Sequence, residues 1–171
     1  VKTTGPAPER VQWGPEALNI RQPLAFLAAK LRDPQFSFLF KPGDWTPQLD
    51  GKVNKDLDLL LESWVGNSSP ITILDLSGVP SGVLNDLVGA LLRILYDALF
   101  WARNLPEGAR ERPLIFVLEE AHTYLAKEHS GPASAAVRKI AKEGRKYGVG
   151  VMLVSQRPSE IEPTILSQCG T

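Results

Sequence analysis

The sequence has 171 residues, 43% of them hydrophobic and 22% charged, the proportions of a globular chain. A chain of this length buries about 70% of its unfolded surface and needs no disulfide staple. Its 19 Lys and Arg balance its 19 Asp and Glu, which excludes nucleic-acid binding through bulk charge but not through a local basic patch. The single cysteine, Cys169, excludes a disulfide scaffold or zinc ribbon and points to a reducing compartment, so a cytoplasmic location is expected.

Residues 1–16 are punctuated by Pro6, Pro8, Gly14 and Pro15 and are expected to form an irregular lead-in without the apolar core of a signal peptide. With Val1 first and no initiator methionine, the sequence is expected to be an internal segment of a longer protein, a single α/β unit over 1–171. Pro23 suits the first turn of a helix carrying Leu24, Leu27, Ala28 and Leu31 on one face. Asp33-Pro34 stops it, and Phe36 to Phe40 reads as a short strand. A loop over Lys41 to Lys55 leads to a short amphipathic helix with Leu57, Leu60, Leu61 and Trp64, ending near Gly66-Asn67.

The second half alternates more clearly. Ile71 to Leu76 is β-branched and mostly apolar, which predicts a buried strand. A helix of about 20 residues should follow the Ser77 to Pro80 turn and run to Arg103. Its apolar stretch, Val83 to Ala102, contains Asp86, Arg93 and Asp97, each costly in lipid, so a soluble helix and no membrane span is expected. Leu114 to Glu119 and Gly148 to Ser155 predict two more buried strands, separated by a helix over Ala133 to Tyr147. Pro163 to Gln168 begins a last helix. This βαβαβ order predicts an α/β fold with a parallel sheet covered by helices on both sides. Ligands of such sheets bind at the carboxyl ends of the strands, where Asp75, Glu119, Glu120, Ser155 and Gln156 fall.

Three segments carry chemistry. In LIFVLEEAH, an apolar strand ends in Glu119 and Glu120, the Walker B pattern of P-loop ATPases. One acid there holds Mg²⁺ and the next polarises the attacking water, and adjacent strand residues would point to opposite sides. The plainer alternative is that the two acids open a solvated helix. One strand later comes Ser155-Gln156-Arg157-Pro158, where Gln156 stands either as a sensor of the γ-phosphate or as a cap on the turn. Between them Arg138, Lys142 and Arg145 share a helix face, opposite Ala133, Ala136, Val137, Ile140, Ala141 and Gly144. This is either a solvated basic face or one from which Arg145 reaches a phosphate on a neighbouring subunit, in which case the face is expected near the carboxyl edge of the sheet.

Together LDLSGVPSGVLNDLVGALLRIL, LIFVLEEAHTYL and IAKEGRKYGVGVMLVSQRPSEIEPTILSQCGT resemble the HerA-like branch of the HerA/FtsK superfamily, over about Phe36 to Thr171. The resemblance implies part of a RecA-like P-loop ATPase core, from a hexameric ring that hydrolyses ATP with Mg²⁺ to translocate double-stranded DNA and can serve a nuclease partner. By motif, Glu119 would contact the metal, Glu120 would be the catalytic acid, Gln156 the sensor and Arg145 the arginine finger acting in trans. Asp75 would be structural. The glutamate at position 119 stands where P-loop ATPases in general prefer Asp.

The sequence has no G-x-x-x-x-G-K-[ST] phosphate loop: Gly51-Lys52 is followed by Val53, and position 46 is Thr. The chain alone is therefore expected to be inactive and to bind nucleotide weakly. An alternative is a non-catalytic module that uses the same fold for ring assembly or partner binding, and a third is a metal-dependent nuclease built on Glu119 and Glu120. Lys52, Lys55, Arg110 and Arg112 are loop charges that could meet DNA phosphates. His122 and His129, seven apart with no cysteine nearby, do not predict a metal site. Trp13, Trp45, Trp64 and Trp101 are expected in the core or at subunit contacts.

Overall fold

The computed structural model describes residues 15–106, 108, 111–127 and 131–169. The expectations placed on residues 1–14, Trp13, Arg110 and His129 lie outside the described residues.

The first helix, α1, spans Pro15–Arg32, so it begins eight residues before the expected start at Pro23, which lies inside it. Its Leu24, Leu27 and Leu31 are exposed. The Asp33 carboxylate accepts the Gln35 N–H at 3.0 Å and caps a 3-10 turn over Pro34–Phe36, which continues into the short helix α2, Ser37–Phe40. The strand expected at Phe36 to Phe40 is therefore helical, because local capping by Asp33-Pro34 outweighs the β propensity of its phenylalanines. Helix α3, Leu57–Leu61, is capped by Asp56 and passes into one π-helical turn, Glu62–Gly66.

Ile71 to Leu76 lies outside any strand, and Ile71, Ile73 and Leu74 are 75%, 84% and 40% exposed. A strand is defined by ladder partners, and no described residue supplies one to this segment. Its end is well formed: the Asp75 carboxylate accepts the Ser77 N–H at 2.9 Å, an Asx turn that leads into α4, Ser81–Trp101.

Strand β1, Leu114–Leu118, helix α5, Pro132–Glu143, and strand β2, Val149–Leu153, form a βαβ unit. The strands pair in parallel from Leu114 opposite Val149 to Leu118 opposite Leu153. Among the described residues the sheet thus has two strands and flanking helices, compatible with part of a RecA-like core. The expected cover on both faces is not there: Leu114, Phe116 and Leu118 turn toward the core, while Ile115 and Val117 are 59% and 53% exposed. Among the described residues the helices cover one face only, so a run apolar throughout reads in the structure as alternating.

The core lies between α4, α5, the sheet and α6, Pro163–Gln168. Val88, Leu92, Tyr96 and Leu99 of α4 meet Ala133, Val137 and Ile140 of α5, with Leu125, Ile161 and Ile165 closing the far side. Gly89 makes this possible: a Cβ there would stand 2.5 Å from the backbone carbon of Pro132, so only glycine lets α4 and α5 approach this closely. No helix among the described residues is long and apolar enough to cross a membrane.

Candidate active site at the carboxyl ends of the strands

Strand β1 ends one residue before the acids. Glu120 adopts φ 48° and ψ 42°, the left-handed conformation, and among the described residues it alone does so without being glycine. That conformation costs about 1–3 kcal/mol and is characteristic of positions where the fold holds a side chain to a task. Strand alternation therefore does not separate Glu119 from Glu120, as the sequence led one to expect; the turn does. Hydrogen bonds hold it from both sides, with Val154 donating to the Leu118 carbonyl at 3.0 Å and Ala121 to the Val154 carbonyl at 3.0 Å. The Tyr124 hydroxyl donates to the Glu119 carbonyl at 2.8 Å.

The turn places Glu120 against the end of β2. Its Oε1 accepts a long hydrogen bond, 3.3 Å, from Nε2 of Gln156, and its Oε2 lies 3.3 Å from Nδ1 of His122. The same imidazole nitrogen is 3.1 Å from the Ser155 hydroxyl. Two residues singled out in the sequence, Glu120 and Gln156, thus meet directly. The Glu120 side chain is 52% exposed, open enough to receive a reactant, whereas that of His122 is 15% exposed.

Glu119 is exposed, and its carboxylate makes no hydrogen bond or ion pair among the described residues. No cluster of three or more His, Cys, Asp or Glu arranged for a metal occurs among them. One exposed carboxylate is the kind of contribution that Mg²⁺ accepts, since it completes its shell with water and phosphate oxygens.

The basic segment divides. Nη1 of Arg138 donates to Oε1 of Glu162, tying α5 to the start of α6. Lys139 pairs with Asp97 at 3.3 Å and lies 4.7 Å over the Tyr96 ring. Lys142 and Arg145 are exposed, without an ion pair among the described residues. The α-helix stops at Glu143, and Arg145 belongs to a 3-10 turn, Gly144–Tyr147, that ends at Gly148 with φ 73°. Gly148 accepts the Leu114 N–H at 2.9 Å, so Arg145 stands beside the start of both strands. This corrects the expectation that the basic face lies at the carboxyl edge. A helix that follows one parallel strand and precedes the next runs antiparallel to both, and its last turn returns to the amino edge. From Gly148 to Ser155 the chain rises roughly 20 Å, so Arg145 is remote from Glu120 of its own chain.

The remaining candidates are local. Asp75 is exposed, and its carboxyl is held below the usual range by the Ser77 backbone N–H and then its hydroxyl, a turn-forming role. Lys52 and Lys55 pair with Asp50 and Asp44 within their own loop, and Arg112 is exposed. Trp45 and Trp64 are half-buried and Trp101 is exposed, so none lies in the core.

Sequence reasoning missed Asn85, Tyr124 and the part played by His122. Asn85 donates to the Tyr124 carbonyl at 2.7 Å and accepts the Ala133 N–H at 3.3 Å, joining α4, the turn after β1 and the start of α5. The available signal was an amide in a largely apolar helix, which must find partners if buried.

No family model matches the chain. Among curated proteins it is 36% identical over 125 residues to one named "Probable helicase MJECL08" from Methanocaldococcus jannaschii, a match covering 70% of this chain and 24% of that protein. It is 47% identical over 60 residues to the "Probable DNA double-strand break repair helicase HerA" of the same organism, covering 35% of this chain and 12% of that protein. With the "DNA double-strand break repair helicase HerA" of Saccharolobus solfataricus it shares 33% identity over 98 residues, 57% of this chain and 20% of the relative. The chain spans about a quarter or less of the length of these relatives.

Proposed function

We propose, starting from the chain's place as a partial HerA-like segment, that it is the part of an ATP-driven DNA helicase or translocase motor that hydrolyses the nucleotide. The observation that carries this reading is the Glu120 carboxylate, set by a left-handed backbone turn at the carboxyl end of β1 and held by Gln156 from the end of β2. The cost of that conformation supports a task for this side chain.

In this reading Glu120 accepts the proton of the attacking water, and Gln156 holds the carboxylate and senses the γ-phosphate. Glu119 contributes one carboxylate to Mg²⁺, which neutralises phosphate charge when bound. The phosphate loop comes from outside this segment, and Arg145 completes the site of a neighbouring subunit in a ring, hexameric by the family resemblance. Double-stranded DNA is the track, and a nuclease is a fitting partner.

The test is Glu120→Gln in the full-length protein. It keeps the side chain's shape and one acceptor oxygen but cannot take a proton. ATP should bind as before while turnover falls by about 10² or more, the scale of a lost general base. Glu119→Gln should instead weaken Mg²⁺-dependent ATP binding. Exchanged phenotypes would reverse the two assignments, and normal turnover of Glu120→Gln would remove the motor reading.

A further inference from the structure

His122 is nearly buried, and its Nδ1 stands between two oxygens, 3.3 Å from Glu120 Oε2 and 3.1 Å from Ser155 Oγ. One nitrogen cannot serve both in the same way. The Ser155 oxygen already accepts the Arg157 N–H at 3.1 Å, so its own proton is available for donation. An Nδ1 that carries a proton donates to Glu120; an Nδ1 without one accepts from Ser155 and turns a lone pair toward the carboxylate. Glu120 has few other holds. Its side chain is half-exposed, and among the described residues the carboxylate's other partner is Gln156, through a long hydrogen bond.

We propose that His122 is a positioning residue for Glu120: its Nδ1–H fixes the carboxylate in place, and Ser155 at the end of β2 competes for the same nitrogen. The imidazole thereby couples the orientation of Glu120 to the end of the neighbouring strand, where Gln156 lies one residue on. This rests on the reading of Glu120 as the proton acceptor.

The experiment is ATP turnover by the full-length protein with His122→Phe and His122→Asn, beside Glu120→Gln. Phenylalanine keeps a packed ring and removes the donor; asparagine loses the ring and keeps an N–H where Nδ1 was. If His122 positions Glu120, the Phe variant loses kcat by about 10- to 100-fold, the scale of a misplaced catalytic group, with KM for ATP little changed. The Asn variant stays within about threefold of wild type in kcat, as expected when positioning survives. Adding His122→Phe to Glu120→Gln should cost nothing further. The opposite ranking, Phe active and Asn impaired, would make His122 a packing residue and overturn the proposal. Should the Phe variant not fold, His122→Gln replaces it: its amide reaches the Nε2 place, so it should fall while Asn stands, and equal behaviour of the two overturns the proposal. If Glu120→Gln turns over normally, the underlying reading of Glu120 fails; if it is inactive and His122→Phe is normal, only the role of His122 fails.

Discussion

The hydroxyl of Tyr124 donates to the backbone carbonyl of Glu119 at 2.8 Å, from a ring that is almost fully buried. Asn85 of α4 holds the carbonyl of Tyr124 itself. The turn that presents both acids is thus pinned to the core through one phenol, and the chain Asn85–Tyr124–Glu119 reaches from α4 to the end of β1.

That bond is testable in two ways. Tyr124→Phe leaves the ring packed and removes only the donor, so stability should fall by about 1 kcal/mol in urea denaturation, with turnover reduced by loosening of the Glu119–Glu120 turn. The phenol is pushed from 10.0 up to about 12 by burial and then by the charges of Glu119 and Glu120. A folded-state value above the unfolded one means the contribution to stability is complete below pH 10 and is lost as pH rises toward 12. Alkaline melting curves should therefore be steeper in pH for the wild type than for Tyr124→Phe; identical curves would deny Tyr124 this role.

The elements most legible in the sequence were those whose signal is local. The turn over Ser77 to Pro80 marked the start of α4, the periodicity from Ala133 marked α5, and Pro163 opened α6 where a first-turn proline should. Ile71 to Leu76 failed because apolar β-branched composition says a segment can pair but supplies no partner. Phe36 to Phe40 failed because the cap at Asp33, three residues upstream, decided the matter. In the site, Glu120 and Gln156 were readable as strand-end polars, since parallel pairing brings such ends together. The left-handed turn at Glu120 and the phenol beneath it were not, because neither leaves a periodicity or a motif. Arg145 was assigned to the wrong edge because the crossover helix runs antiparallel to the strands it joins, so its last turn falls beside their starts.

A second prediction separates structural from catalytic cations. Oε1 of Glu162 accepts from both Arg138 and the Thr164 hydroxyl. Its carboxyl is held below the usual range by Thr164 and, after burial opposes, by Arg138. Arg138→Ala should cost about 1–2 kcal/mol, between an exposed and a buried ion pair, while leaving turnover within a few fold. Because the folded-state value is depressed, the contribution is present above pH 4.5 and disappears as pH falls below it. The stability gap between wild type and Glu162→Gln should narrow accordingly in acid unfolding. A gap independent of pH would show that the carboxylate's charge does not matter to the fold.

The last prediction concerns Arg145, exposed at the amino edge of the sheet. It lies roughly 20 Å along the strand from the polar cluster at Glu120, beyond the reach of an arginine side chain, so it cannot serve the nucleotide of its own chain. Two readings remain: a solvated cation, or a finger presented to the next subunit. They differ widely in magnitude. A finger contributes about 10³–10⁵ in rate, roughly 4–7 kcal/mol of barrier, whereas a solvated arginine contributes almost nothing. Arg145→Ala in the full-length protein should therefore abolish hydrolysis with folding and ATP binding nearly intact, while Lys142→Ala should do much less. Action across subunits has its own test. Mixing Arg145→Ala subunits with subunits whose phosphate loop is disabled, each inactive alone, creates interfaces that pair an intact loop with an intact Arg145. Those interfaces should hydrolyse ATP. Silence in mixed rings shown to form would mean that single intact interfaces do not suffice, and normal hydrolysis by Arg145→Ala itself would leave Arg145 a solvated surface charge.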